Sequence, residues 1–600
     1  MVKDEFLAER EAALSEEKRR EKMLARYGLG RVLSFLAAAV AAAGALSERS
    51  ALLAAAALVL LAVFILLVHR SLRAREEKTL AASRRIVIEG FLSRLDASWQ
   101  KHGPTGEAFL TDEFPPGRDL DIFGPGSLYQ YLSLTHTPWG REALSRLLTE
   151  PGQSGGPEVL AAARTRQEAV RELLAKKDFV LEFAARSRLP EAEKNLSAQN
   201  LEEFRTSAAA APWPAALVPL FWLAPAVTLA ALVLALVGLT SFLPFAVCFL
   251  LQFLARLAGG KALGPLLGPL AAFRRSLRHI APLLALIERE PFTSDYLRRL
   301  REPLTAKGGA ARAIAALAAV EDMAAWRFQP IAYFFATGIL MWDFHAACRL
   351  LAWKARHAAD LTPWLTAVGE TEALMSLATI GFTRDTYCFP DLLPTAEPLL
   401  QLEELVHPLL DPAAAVANSL TLAAGVCVLT GSNMSGKTTF LRSIGLALVL
   451  AYAGGPVCAR AGAVSGLRLF SSLRVWDDVN LGVSTFYAEI LRIRAMVAYS
   501  AEKAPMLALI DEIYKGTNTA DRVVGAEATL KKMSAPWIIC VVATHDFELC
   551  ELENDEGVKA RNCHFAEHYA GDELRFDYKL RPGRCQTTNA RHILRMAGLL

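Results

Sequence analysis

Two blocks of this chain are apolar and free of charge over lengths that only membrane or core helices use. From Ala51 to Val68 the chain reads ALLAAAALVLLAVFILLV, eighteen residues without a charge, close to the roughly 20 a helix needs to cross a bilayer. A weaker run, Val32 to Leu46, precedes it across the polar break Ser47-Glu48-Arg49-Ser50. The two predict a helical hairpin over about 32–68. The second block, Thr206 to Ala255, contains no Asp, Glu, Lys or Arg. Its length is about twice one span and predicts two helices turning near Gly238-Leu239-Thr240-Ser241. A buried core hairpin is the alternative for either block, and a cleaved signal peptide for the first. Against the signal peptide stand the long charged segment ahead of the run and the lack of an A-x-A site in the expected place.

Elsewhere the pattern is amphipathic. Val159 to Ala185, Leu266 to Arg289 and Ala310 to Arg327 repeat apolar residues at three and four, the helical period. Pro330 to Leu340 is also apolar, but Asp343, His345 and Arg349 follow in the same helical pattern, which predicts a buried helix of a soluble domain. Prolines accumulate from Pro390 to Pro412, and beyond them short β-branched runs alternate with helices. A boundary near residue 405 follows.

Charge sets the orientation. Lys18, Arg19, Arg20, Lys22, Arg26 and Arg31 precede the first hairpin, Arg70, Arg73 and Arg75 follow it, and Arg256, Lys261, Arg274 and Arg275 follow the second. The positive-inside rule then places both termini and every long loop in the cytoplasm of a multi-pass, bacterial-type inner-membrane protein. No span carries a charge in its middle, which argues against a polar transport path. With 53% apolar and 21% charged residues and a mean hydropathy of +0.26, a disordered or fibrous chain is excluded. The formal net charge of +3 is too small to hold nucleic acid by bulk charge, although a local basic patch remains open. Nine cysteines without a C-x-x-C indicate neither a disulfide framework nor a zinc ribbon.

The chemistry concentrates beyond residue 425. Gly431-Ser432-Asn433-Met434-Ser435-Gly436-Lys437-Thr438 fits G-x-x-x-x-G-K-[ST], between an apolar strand, Val426 to Leu429, and a helix, Thr439 to Ala451. In that context backbone N–H groups cradle phosphates, Lys437 neutralises the β- and γ-phosphates of ATP, and Thr438 ligates Mg²⁺. A second strand, Met506 to Ile510, ends in Asp511-Glu512, suited to holding Mg²⁺ and to accepting a proton from the attacking water. A third, Trp537 to Val542, ends in Thr544-His545-Asp546, where His545 would sense the γ-phosphate. Between them Lys515 to Arg522 forms a polar turn that opens a helix. Such a helix start binds anions, and with Asp511 and Glu512 already beside the cis site, the anion would belong to another subunit.

These motifs together resemble the MutS family of ABC-type ATPases. Leu429 to Thr439, with Asn433-Met434 between the glycines, is similar to the family's P-loop; Ser484-Thr485-Phe486-Tyr487-Ala488-Glu489 to its S-T-F-x-x-E; Asp511 to Thr519 to its D-E-I-x-x-G-T-x-[ST]; Ala543-Thr544-His545 to its A-T-H; and His407-Pro408 to its H-P. Upstream, Leu128 to Leu148, Arg166 to Leu173 and Glu370 to Leu374 resemble parts of its core and levers. The fold class implied is α-helical membrane hairpins and a helical core and lever domain, followed by a C-terminal α/β P-loop ATPase domain. The domains are 1–104, 105–405 and 406–600.

The resemblance further implies a head-to-tail homodimer in which Thr517, Asn518 and Thr519 reach the partner's γ-phosphate. Asn518 stands where many members have Ser, and Ala415 where many stack an aromatic on adenine, which implies looser base selection. The F-x-E mismatch reader and the DNA clamp of the family are both replaced here by apolar hairpins, and the chain after the ATPase domain is too short for the family's nuclease. The function expected is a membrane-anchored MutS-type ATPase, related to DNA binding and mismatch repair. DNA, the lipid bilayer and further proteins are its possible partners, with Arg274, Arg275, Arg278, Arg298, Arg299 and Arg301 as candidate DNA contacts. The alternatives are an ATP-driven membrane scaffold or remodelling protein without DNA, and an ABC-like transporter, which the absent L-S-G-G-Q signature disfavours.

Overall fold

A computed structural model describes residues 2–188, 204, 213–271, 276–432, 434–474, 485–515, 518–570 and 573–585. Two compact units result: residues 1–134, 143–185 and 373–600 form one, residues 135–142 and 186–372 the other.

The first unit begins with α1 (Val2–Glu48) and α2 (Ala51–Leu95), each about 70 Å long at 1.5 Å per residue. Ser50 caps α2 by accepting the Leu53 N–H, so the predicted polar break is the turn. Ion pairs Lys3–Asp96, Arg20–Glu77 and Arg85–Glu17 run along the charged ends, and Phe6 stacks on Phe91 at the base, ring centroids 5.1 Å apart. Toward the turn the apolar side chains, among them Val40, Leu52 and Leu58, are exposed. The chain continues through the short α3 (Pro116–Asp119) and α4 (Leu128–Leu132) into α5 (Pro138–Ser154), α6 (Gly156–Ala175) and α7 (Lys177–Ser187). One helix expected over 159–185 is thus two.

In the second unit, α8 (Val218–Leu236) and α9 (Leu243–Ala258) form the second hairpin, turning at 237–242 around Gly238 (φ 80°). Residues 206–212 of that block lie outside the described residues. Gln252 Nε2 donates to Thr228 Oγ1 across the hairpin at 2.5 Å, both side chains buried. Such interhelical polar bonds hold apolar helices together where burial of apolar surface cannot. The unit continues with α10 (Gly260–Ala271), α11 (Ser276–Arg289), α12 (Asp295–Thr305), α13 (Ala310–Ala325), α14 (Pro330–Leu340), α15 (Trp342–His357) and α16 (Leu361–Thr383), the last running on into the first unit. Among the described residues three helices are long and apolar enough to cross a membrane, and two bent pairs, α9 with α10 and α14 with α15, also meet that measure.

One expectation is overturned here. Helix α14 is not a buried helix of a soluble domain, because Ile331, Phe334 and Phe335 are exposed. The polar residues that suggested otherwise belong to α15, which leaves α14 at 78° through Met341 in the left-handed conformation (φ 49°). A bend resets the helical phase, so one periodicity cannot be read across it.

From residue 391 the first unit is α/β. A sheet in the order β1 (Asp391–Leu393), β5 (Ala461–Ser465), β2 (Leu399–Leu405), β3 (Asn418–Ala423) precedes a larger sheet, ordered β10 (Glu573–Pro582), β9 (Ala560–Ala570), β4 (Gly425–Thr430), β8 (Ile538–Ala543), β7 (Met506–Asp511), β6 (Arg468–Ser472). All pairs of the larger sheet are parallel except β9–β10. Strands β4 and β8 are buried at every position, as apolar runs in a sheet covered on both faces must be. Helices α17 (Lys437–Ala453), α18 (Thr485–Ser500) and α19 (Thr519–Lys532) complete the domain.

Asp119 and Asp121, beside α3, are anchored in this domain. Asp119, fully buried, accepts from Ser471 Oγ (2.7 Å) and the Leu473 N–H (3.1 Å) and pairs with Arg492 of α18 at 3.0 Å. Asp121 pairs with Arg442 of α17 (3.0 Å) and with Arg474 (2.7 Å).

Candidate functional site

Strands β4, β7 and β8 are neighbours, so their C-terminal ends lie side by side, the edge at which open parallel sheets bind ligands. After β4 the chain turns through Gly431 (φ 146°), Met434 (φ 70°) and Gly436 (φ 101°) into α17. A Cβ on Gly431 would stand 2.8 Å from Ser435 Oγ and 3.0 Å from the Phe565 carbonyl, so the turn admits glycine alone.

Lys437 opens α17 and is buried. Its Nζ donates to the carbonyls of Gly431 (2.8 Å) and Ser432 (2.9 Å) and lies 3.4 Å from His545 Nε2. Burial lowers its pKa, against Asp511 and Glu512, which pull the other way. The next residue, Thr438, donates to Asp511 Oδ2 at 2.6 Å, and burial raises the Asp511 pKa. Glu512 holds the left-handed conformation (φ 55°), a strained choice for a side-chain-bearing residue. Its Oε1 lies 3.1 Å from His545 Nε2 and its Oε2 2.7 Å from Lys515 Nζ. Hydrogen bonding to His545, then to Lys515, draws its pKa down to about 2.

The loop therefore brings Ser432, Met434, Ser435, Gly436, Lys437, Thr438 and Thr439 to one cavity with Asp511 and Glu512, about 500 Å³ in volume, within the range of small-ligand sites; Gly431 sets the turn ahead of it. Asn433 and Thr517 lie outside the described residues, as does Ser484. Asn518 caps α19, its Oδ1 accepting the Asp521 N–H at 2.9 Å, and Thr519 is the first residue of that helix.

The sequence did not single out Tyr578, nor the structural roles that Glu489, Arg522, Asp546 and His407 take. Tyr578, on β10, lines the same cavity and packs over the loop, 3.1 Å from where a Cβ on Gly436 would stand. It is fastened there by Asn418, whose Nδ2 donates to the Tyr578 carbonyl (2.9 Å) and whose Oδ1 accepts the Leu580 N–H (2.7 Å). Tyr578 thus reaches the cavity from a strand far along the chain, which no local pattern announces. Glu489, legible only as the last letter of its segment, accepts the Tyr514 N–H and braces the turn after Glu512. Arg522 and Asp546 form a two-pronged ion pair (2.8 and 2.5 Å), tying the start of α19 to the residue after His545. His407 also lines the cavity, where burial holds its pKa down at about 4 and keeps it neutral.

The donor set suits a magnesium nucleotide. The buried Oγ atoms of Ser432 and Ser435 have no hydrogen-bond partner among the described residues, an incompleteness that phosphate oxygens can fill. Thr438 and Asp511 offer two oxygens already side by side, the ligand class Mg²⁺ takes. No cluster of three His, Cys, Asp or Glu suited to a metal occurs among the described residues, which fits an ion bound by few side chains together with substrate phosphates.

Residues 427–599 match the MutS domain V family. A DNA mismatch repair protein MutS of Natronomonas pharaonis is 33% identical over 239 residues, covering 39% of this chain and 27% of that protein. One from Chloroflexus aurantiacus is 30% identical over 253 residues, 40% of this chain and 26% of that protein. One from Carboxydothermus hydrogenoformans is 29% identical over 272 residues, 43% and 31%. The chain thus spans between a quarter and a third of the length of these curated relatives. Residues 427–599 of this chain, with a glycine-bounded loop and an acidic pair at one sheet edge, thus belong to the MutS domain V family.

Proposed function

We propose that this protein is a membrane-anchored MutS-type ATPase with a P-loop domain over 406–600, a helical core and lever region over 105–405, and hairpins at about 32–68 and 206–255. The observation that carries the reading is the convergence of Lys437, Thr438, Asp511 and Glu512 on one cavity, with His545 against Lys437 and Glu512. Bound MgATP supplies the scissile γ-phosphoryl group and the metal charge that offsets its negative oxygens. Lys437 turns its ammonium from the Gly431 and Ser432 carbonyls to phosphate oxygens. Thr438 and Asp511 hold the ion. Glu512, ionised across the physiological range, orients the attacking water and takes its proton once it releases Lys515 or His545. Thr517, Asn518 and Thr519 complete the site of a second subunit in a homodimer. The apolar hairpins sit in an inner membrane with the ATPase domain in the cytoplasm.

DNA enters this reading through the relatives named as mismatch repair proteins. A second reading, an ATP-driven membrane scaffold without DNA, is favoured by the state of the candidate DNA contacts. Three of the six are already engaged: Arg278 pairs with Asp322, Arg298 with Asp295, and Arg301 donates to the Glu288 carbonyl at 2.8 Å; Arg299 is exposed, and Arg274 and Arg275, outside the described residues, bear on neither reading.

The deciding measurement is ATP turnover by the full chain in lipid nanodiscs, with and without homoduplex, mismatched and branched DNA, at low and physiological salt. Stimulation that survives physiological salt supports a tethered DNA-processing ATPase. Turnover indifferent to every DNA supports the scaffold. Lys437→Ala should abolish nucleotide binding, while Glu512→Gln should bind ATP and accumulate as an ATP-bound dimer. Turnover by Glu512→Gln at the unmodified rate would remove Glu512 as the base.

A further inference from the structure

Helix α14 leaves an apolar surface open where its length rules out a full crossing. Eleven residues rise about 16 Å, roughly half of a 30 Å hydrocarbon core. One side of α14 packs on α9. Phe334 lies 5.1 Å from the Phe249 ring and 5.4 Å from that of Phe253, and Gly338 sits so close that an added Cβ would stand 2.3 Å from Phe249. The same stripe of the helix still exposes Ile331 (78%) and Phe335 (52%), the Phe335 ring lying 6.4 Å from that of Phe249, and the turn before the helix exposes Trp326. This surface is continuous with the hairpin beside it, where Trp222, Leu250 and Leu254 are also exposed.

The border of the patch is polar, one carboxylate shared by two guanidiniums. Asp343, fully buried just past the bend, accepts from Arg256 at the end of α9, from Arg327 Nε (3.2 Å) and from the Tyr333 hydroxyl. Trp326 and Trp342 lie against each other at the same border, ring centroids 5.0 Å apart. Apolar residues on one side, Trp and Tyr at the edge and cationic side chains behind them is the sequence of environments that a membrane interface presents.

We infer that α14, with the turn Trp326–Phe328, is a half-inserted helix that lies in one leaflet of the bilayer beside the second hairpin, its occupant being lipid acyl chains. The inference rests on the reading that this hairpin enters the membrane. It makes the second hairpin an anchor of three helices, joined directly through the bend at Met341 to α15.

The test is photo-crosslinking of the full chain in liposomes made with a clickable phosphatidylethanolamine. p-Benzoylphenylalanine is placed singly at Ile331, at Phe335, at Leu223 of α8, and at Glu502 in the α/β domain. Lipid adducts at Ile331 and Phe335 should match those at Leu223 and exceed those at Glu502 by about tenfold, given an apolar face buried in the acyl boundary. Adducts at Leu223 with only the Glu502 background at Ile331 and Phe335 would overturn the half-inserted helix while the hairpin reading stands, and would assign the patch to a protein. Background at Leu223 as well would overturn the membrane reading of the hairpin and this inference with it.

Discussion

At the residue scale the site is self-satisfied. Lys437 is engaged by its own loop, and Glu512 by His545 and Lys515, so under the proposed function a nucleotide would replace contacts that already exist. Because the folded-state pKa of Glu512 lies near 2 against an ordinary 4.5, its ionised form adds stability that is present above pH 4.5 and lost as the pH falls through 2. Lys515→Ala removes one of the two partners and should move that pKa upward. The acid limb of kcat/KM for ATP should then shift toward pH 4.5, with a smaller change near neutrality; an unmoved acid limb would mean that Lys515 does not tune the base. Much of this was legible from residues alone, because P-loop and acidic-pair chemistry is written in short contiguous strings. The bracing by Glu489 and the Arg522–Asp546 pair was not, since each joins residues 24 or 25 apart that carry no motif as a pair.

At the element scale, α3 matters more than its length suggests. Asp119 is a fully buried carboxylate whose acceptor capacity is spread over β6, the residues after it and α18. Asp119→Ala strands the Arg492 charge and leaves Ser471 and the Leu473 N–H unpaired. A loss of about 3–5 kcal/mol is expected, read as a lowered midpoint in urea unfolding of the detergent-solubilised protein. Asp121→Ala, whose carboxylate is partly exposed, should cost less, on the order of 1 kcal/mol. The helices themselves followed their apolar period, and both hairpin turns fall at the predicted polar or glycine-containing breaks. The reading failed at α14, where a bend at a single left-handed methionine divided one apparent pattern into an exposed apolar helix and a separate polar one.

At the scale of the whole molecule the open question is what a second copy contributes. If Asn518 and its neighbours complete the site of a partner subunit, then Lys437→Ala and Asn518→Ala impair different halves of one composite site. Each variant alone should be nearly inactive, and an equimolar mixture should recover about a quarter of the unmodified turnover, since half the dimers are mixed and each mixed dimer has one intact site. No recovery on mixing would mean that Asn518 serves only as the cap of its own helix.

The sequence by itself determined what is local and periodic: the two hairpins, the strand and helix around each motif, and the likeness of residues 427–599 to MutS domain V, because burial pattern and glycine-bounded loops are encoded within a few turns of chain. Only the tertiary structure decided what depends on distant segments meeting. Sheet order placed Asp511, Glu512 and His545 beside Lys437; the β9–β10 hairpin brought Tyr578 over the loop. The bend at Met341 left α14 facing outward. In each case the energy that fixes the arrangement lies in contacts between residues far apart in the chain, and composition and periodicity carry no record of which distant partner a segment will find.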